Sequence, residues 1–489
     1  MQDDSLVLLV ILGALIGSLL VLSGCDAVDT ATDATNEAPT AEATVASSQP
    51  FSVNDPVQLD GTGSSDPDND ELSYEWTLDT PSESNASLEG PNTVDPTFTP
   101  DVKGTYTATL EVSDGEDTDT DDASVMAEGN VIGSNITSDQ TLSSDLDHLV
   151  TSDICVENGA TLTIEAGTKI MFEANTSLQV CEDASALVAE GTESDPITLT
   201  GVQQQDGFWR GVAFYSNNQK NKMSYVEVAY GGGDTWGISG SNQGASVMLE
   251  SGSRLSLSNS TIRNSGSYGL YGNGGTNLSG FASNTFENNA EAPVLISAKA
   301  AGFIDGNSSF ASDSYVGVYA QDVTSDLTLT RLAGGVPYRF SGTTSVKNGA
   351  QLSIDAGVQM EFASGAGLEV SDNSSSLVAE GTSATDSTIV MTGAQKQAGF
   401  WRGVALYSDN QENEMSYVEV AYGGGDTWGI SGSNEGGNVV LEDGSQLALT
   451  NSSITDSGRW GVWLNGNGVT FDDTGTTYQN NSNGDVGQP

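Results

Sequence analysis

The sequence predicts an all-β chain in which an N-terminal β-sandwich is followed by a long solenoid of stacked coils, the solenoid built from two homologous units. Three observations carry this. Residues 207–244 (GFWRGVAFYSNNQKNKMSYVEVAYGGGDTWGISGSNQG) recur at 399–436 with only five differences, Phe214/Leu406, Asn217/Asp409, Lys220/Glu412, Lys222/Glu414 and Gln243/Glu435. A repeat at a fixed offset decides the fold before any local reading does. Apolar residues come in pairs with one residue between them, set 8 to 10 residues apart, with Gly, Asn, Asp and Ser in the gaps. No stretch keeps a helical period.

The chain opens on a leader. Residues 6–22 are an uncharged apolar run that ends in Leu22-Ser23-Gly24-Cys25. This resembles the lipobox of bacterial lipoproteins, which implies cleavage before Cys25, lipidation of its thiol, and a protein exported and tethered at an outer membrane or cell surface. Asp3 and Asp4 depart from that pattern, since a signal peptide starts positive. The alternative is an uncleaved anchor, for which 17 residues is slightly short. Residues 26–38 (DAVDTATDATNEA) are small, polar and acidic, with only Val28 to seed a core, and read as a disordered tether.

Residues 39–128 form the expected sandwich. Val57/Leu59, Leu72/Tyr74/Trp76 and Tyr106/Ala108/Leu110/Val112 alternate with period 2 between turn clusters, the pattern of an antiparallel sandwich. PVQLDGTGSSDPDNDELSYEWTL followed by PTFTPDVKGTYTATLEVSDG resembles a PKD-type, immunoglobulin-like module. That resemblance implies a core position for Trp76, a late strand for Tyr106, and a spacer or accessory role on a secreted protein. Asp66, Asp68 and Asp70 place carboxylates at i, i+2 and i+4 of one loop, where they could converge on Ca²⁺. The loop lacks the glycine and distal Glu of an EF-hand, so an acidic solvated turn is the alternative. No other cofactor is expected.

The body is read as two units, 129–310 and 311–489. Ile154/Val156, Leu162/Ile164, Ile170/Phe172, Leu178/Val180, Leu187/Ala189 and Ile197/Leu199 each give a short strand followed by a polar turn. Three such strands close a coil of roughly 24 residues, and coils stacked about 4.8 Å apart pair every backbone group with the coil above and below. The phrases NGATLTIEAGTKIMF, ALVAEGTESDPITLTG, FWRGVAF and SYVEVAYGG, with their second copies, resemble the right-handed parallel β-helix proteins of the pectate-lyase-like class. Cys155 and Cys181 both become Ser in the second copy (Ser345 and Ser371). Their joint loss suggests a disulfide between adjacent coils, and export would preserve it; two small buried thiols are the alternative.

Composition narrows the function. Asp and Glu outnumber Lys and Arg 67 to 14, for a formal charge of −53, while only 17% of residues are charged. Phosphate binding needs clustered Lys and Arg, so nucleic acid is not expected as a partner. The excess reads either as adaptation to high salt, which screens self-repulsion, or as cation binding. Members of the β-helix class are often polysaccharide lyases or glycosidases, so enzymes must be weighed. A lyase needs a base with acids or Ca²⁺ around it, and a hydrolase needs paired carboxylates. Neither pattern is visible, and His148, the one histidine, lies outside the duplicated stretch.

What the duplicated stretch does carry is Trp209, Arg210, Asp234 and Trp236, repeated as Trp401, Arg402, Asp426 and Trp428. An indole offers a platform to the apolar side of a pyranose, and charged groups reach its hydroxyls. Two such patches are expected to give avidity on a polysaccharide or envelope glycan. The competing account is that the Trp residues fill or cap the coil and that the identity reflects recent duplication. The expected function is therefore a surface lipoprotein with a non-enzymatic glycan-binding module. The alternatives are a lyase or glycoside hydrolase, and a passive structural protein of the envelope.

Overall fold

The computed structural model describes residues 36–489 apart from 48–50, 54, 83, 128, 237–242, 312 and 429–434. The leader, Cys25 and most of the tether lie outside the described residues. No helix among the described residues is long and apolar enough to cross a membrane.

Two antiparallel sheets build the sandwich. One holds Thr44–Val45, Val57–Asp60, Thr97–Phe98 and Leu88–Glu89, and the other holds Ser73–Asp79, Gly104–Ser113 and Thr118–Ala127. Alternation drives this pairing: Tyr106, Ala108, Leu110 and Val112 all point inward and are buried, as is Trp76. The Tyr106 hydroxyl donates to the Val102 carbonyl at 2.8 Å, so its one polar atom is satisfied at the edge of that core. The sandwich is joined to the first coil by backbone and side-chain bonds. Val53 donates to the Gly129 carbonyl at 3.0 Å, and Val131 donates to Ser52 Oγ at 3.2 Å.

From Asn130–Ile132 onward every strand pair is parallel and the coils have three faces. In the first unit, eight strands from Asn130–Ile132 to Ser309–Phe310 form the first face, and six from Gln140–Leu142 to Asn277–Leu278 form the third. The second face is one sheet of thirteen strands, from Ile154–Val156 to Thr477–Gln479, and it runs through both units. Along its inner side one apolar ladder is unbroken. Ile154, Leu178, Val212, Val247, Leu270, Val294 and Val316 stack in register. Tyr338, Met360, Met391, Val420, Ile454 and Tyr478 continue it. The two units are thus one continuous right-handed parallel β-helix around a shared core.

The second unit is nonetheless turned by one face. Asn130 pairs with His148 on the first face, while the corresponding pair, Val316 with Tyr338, lies on the second. The cause is the insert between units. The short helix Ala298–Ala301 and strand Ser309–Phe310 continue the coil past Val294–Ser297, so the second unit starts one face later than the first did. Gly211–Phe214 therefore belongs to the thirteen-stranded sheet, but its copy Gly403–Leu406 belongs to a six-stranded sheet on the next face.

Candidate functional site

The duplicated stretch wraps from the inside of the coil to its outer surface, and its two tryptophans have different fates. Trp209 and Trp401 point inward and are 0% exposed. Each stacks on a phenylalanine of the coil below, Phe172 at 3.9 Å and Phe362 at 4.1 Å between ring centroids. Each indole N–H donates 2.8 Å to a carbonyl, that of Ala229 or Ala421. They are core residues, which corrects their assignment as a sugar platform: a ring with no free face cannot stack on a ligand.

Trp236 and Trp428 lie outside the coil but are also nearly covered, at 8% and 6% exposure. What covers them in part is arginine. The Arg210 guanidinium lies over Trp236 at 5.8 Å and the Arg402 guanidinium over Trp428 at 4.0 Å, a cation–π arrangement. Each arginine also meets the aspartate of its own stretch. Arg210 Nη2 is 3.6 Å from Asp234, and Arg402 Nε is 3.5 Å from Asp426. Arg210 has a second carboxylate, Asp153, at 3.4 Å, whereas Arg402 turns to Thr343 Oγ1 at 3.4 Å. In both copies the aspartate side chain is more than half exposed and the arginine mostly buried. The carboxylates thus face solvent while the guanidinium pins the loop to the sheet. These two indoles are lids held by Arg and cannot serve as open platforms.

The glycine run before each Asp reads in the sequence as flexible, but it is packed. A Cβ on Gly233 would lie 1.8 Å from the Gly207 carbonyl oxygen, and one on Gly425 would lie 2.3 Å from that of Gly399. Gly232 and Gly424 sit at φ +76° and +74°, a region that favours glycine. The run lets two backbones touch, and so holds Asp234 and Asp426 in place.

Beside each Arg–Asp–Trp group the outer side of the sheet carries an aromatic strip, here termed its groove, that the sequence reading missed; its ladder is mostly buried together with Trp236 or Trp428, and only its flanking rings are half-exposed. Outward positions of adjacent strands stack in register: Ala213, Met248, Tyr271 and Leu295 in the first unit, and Ala405, Val440 and Trp463 in the second. Half-buried Tyr215 and Tyr268 flank the first, and half-buried Tyr407 and Trp460 flank the second. Burial pushes the Tyr407 phenol up to about 12 and raises that of Tyr215 as well. Both phenols therefore stay neutral donors at ordinary pH. The signal was present: the residue after an inward apolar position faces out, and after Leu270 and Val462 that residue is aromatic, Tyr271 or Trp463.

Other expected sites resolve as follows. Cys155 and Cys181 are joined by a disulfide between adjacent coils, with 5.9 Å between their Cα atoms. Asp66, Asp68 and Asp70 do not form a cation cluster. Asp66 Oδ1 accepts from the backbone N–H groups of Asp68 and Asp70 at 2.8 and 3.0 Å, and Asp68 accepts from Glu37 N–H at 2.8 Å. The spacing that suggested Ca²⁺ is that of a side-chain-capped turn. Among the described residues no three His, Cys, Asp or Glu side chains come together to hold a metal. Lys222 pairs with Glu190 on the exposed side of its strand, and the second copy carries Glu414 there instead.

Comparison with known proteins agrees with this architecture. Residues 46–127 match the family model of a PKD domain, and residues 134–268 match that of a pectate-lyase-like β-helix domain. The chain carries a PKD domain followed by a pectate-lyase-like β-helix. Both domain types are typical of extracellular or surface proteins, and together they indicate a carbohydrate-related extracellular protein. No curated protein matches the chain. One solved structure, a nucleoside hydrolase-related hypothetical protein from Saccharophagus degradans described as associated with carbohydrate metabolism, aligns at 20% identity with a TM-score of 0.17. The alignment covers 19% of this chain and 26% of that one, too little to bear on the fold or function of the PKD–β-helix chain.

Proposed function

We propose that this PKD–β-helix chain is a surface-tethered, non-enzymatic glycan-binding protein whose contacts are the outer groove of each unit. The observation that carries the reading is the repeated pairing of a solvent-facing carboxylate, Asp234 or Asp426, with partly open aromatic rings on the next coils. Sugars are recognised by such combinations, aromatic faces for C–H surfaces and fixed acceptors for hydroxyls. The arginines are tied to carboxylates and indoles, and among the described residues none in either groove is arranged as a nucleophile with its base. The formal charge of −53 favours neutral polysaccharides over polyanions, which the field of the protein would repel. The LSGC motif supports Cys25 as a lipidated tether, with the acidic residues 26–38 and the PKD domain as spacer.

The test is affinity electrophoresis of the full chain in gels containing galactomannan, xyloglucan, mixed-linkage β-glucan or dextran. Retardation by at least one polymer is expected, weakened at least tenfold when Asp234→Ala and Asp426→Ala are combined. Absence of retardation by all four would remove the reading in favour of a passive envelope protein. New reducing or unsaturated ends in the same incubations would replace binding with catalysis.

A further inference from the structure

We infer that the two grooves hold two different polysaccharide strands, so that the chain is a cross-linker of glycan rather than a two-handed grip on one strand. This rests on the glycan-binding reading above, and it follows from how the solenoid sets its two copies. The first groove lies outside Gly211–Phe214, Ala245–Leu249 and Tyr268–Gly272, all in the thirteen-stranded sheet. The second lies outside Gly403–Leu406, Gly437–Leu441 and Trp460–Leu464, all in the six-stranded sheet of the next face. In a three-faced coil, one face is roughly a third of a turn.

The axial offset is also large. Seven strand-to-strand steps separate Gly211–Phe214 from Ile389–Gly393, the strand just before Gly403–Leu406. At about 4.8 Å per step this is roughly 34 Å along the axis. The surface between the grooves changes character on the way. Past Leu295, the outward ladder of the thirteen-stranded sheet continues with Gly317, Arg339 and Glu361. Arg339 is ion-paired to Glu361 at 2.7 Å and stacked on Tyr315 at 3.7 Å. The aromatic strip therefore stops at a charged block before the second groove begins. A strand seated in one groove would have to leave it, cross that block and bend around an edge of the solenoid to reach the other. Without an insert that adds part of a coil, the duplication would have left both grooves on one face, the arrangement suited to avidity.

Cross-linking and avidity differ in their dependence on stoichiometry. The experiment is light scattering of the four soluble polymers titrated with full chain. A cross-linker gives a scattering peak near equivalence that dissolves in excess protein. Expected is such a peak for the unaltered chain, and its loss in Tyr268→Ala and in Trp460→Ala, each removing one half-buried ring. Each single variant should still bind the polymer within about tenfold of the unaltered chain, through its other groove. Asp234→Ala and Asp426→Ala, which change exposed side chains only, repeat the test if an aromatic variant misfolds. Binding without a peak, or a peak that survives every single-groove variant, overturns cross-linking and leaves glycan binding standing. Failure to bind any of the polymers overturns both.

Discussion

The two units share all but five of 38 residues across the Arg–Asp–Trp stretch, yet along their whole length they differ in a patterned way. Most inward positions keep an apolar side chain and its packing. Trp209 and Trp401 make the same 2.8 Å bond and the same ring stack. Outward positions have diverged: Tyr268 and Tyr271 face Trp460 and Trp463, and Cys155 and Cys181 face Ser345 and Ser371. At one buried position the second unit is better bonded. Asn438 accepts from Gly423 N–H at 2.7 Å and donates to the Val420 and Thr455 carbonyls at 3.0 and 2.7 Å. The first unit has Ser246 there, whose buried hydroxyl finds no partner among the described residues. A solenoid coil tolerates little change toward its axis, where each side chain packs on the rungs above and below. It tolerates much change on the outside, and that is where a binding specificity can drift between copies.

The largest effect expected from this comparison is an equal one. Trp209→Ala and Trp401→Ala should each cost about 3–5 kcal/mol, read as lost hydrogen-exchange protection in the surrounding strands. A gap between them above about 1.5 kcal/mol, half of the smaller cost, would break the claim that the interiors are equivalent. Next comes an unequal effect. Removing the disulfide by Cys155→Ser with Cys181→Ser reproduces the second copy's chemistry in the first. For cysteines 26 residues apart, loop-closure entropy gives a loss of about 3.5 kcal/mol. Exchange should quicken in Ile154–Val156 and Ser177–Val180 and stay unchanged in their counterparts Thr344–Val346 and Gly367–Val370. Acceleration in both pairs would show that the first unit's staple supports the whole solenoid.

Fold was legible because it is carried by periodicity. Ile154/Val156 and its successors name inward positions directly, and Trp76 and Tyr106 fix the sandwich core. The site was legible only as a region. Trp209 and Trp236 are the same residue type in the same stretch, and nothing local says that one fills the coil and the other lies under an arginine. That depends on which coil lies below, since Phe172 sits 37 residues earlier in the chain. The one-face turn of the second unit was likewise hidden, because it follows from how many faces 298–315 contribute and not from any motif within it. Tyr271 and Trp463 could have been found by extending the pair reading to Leu270 and Val462, the inward residues next to them.

The smallest predicted effect again separates the copies. His148 is buried, and its ring makes two bonds of opposite sense: Nδ1 accepts from the Asn130 amide at 3.1 Å, and Nε2 donates to the Ser143 carbonyl at 2.9 Å. Burial holds its pKa below the ordinary histidine value, against the opposing pull of the Ser143 carbonyl and Asp147. The folded state therefore prefers the neutral ring. Its stabilising contribution is complete above the unfolded pKa near 6.5 and is lost as pH falls through the lower folded value. The second unit has Tyr338 at this place, buried, with its hydroxyl donating 2.9 Å to the Thr330 carbonyl, a group that does not titrate in that range. Acidification from pH 7 to 5 should thus loosen the coil at Asn130–Ile132 and His148–Val150, beside the sandwich joint, and leave Val316–Tyr319 and Tyr338–Phe340 unaffected. Hydrogen exchange at the two pH values, corrected for intrinsic rates, reads this directly. His148→Gln should flatten the difference, and equal loosening of both coils would assign the acid response to the carboxylate surface instead.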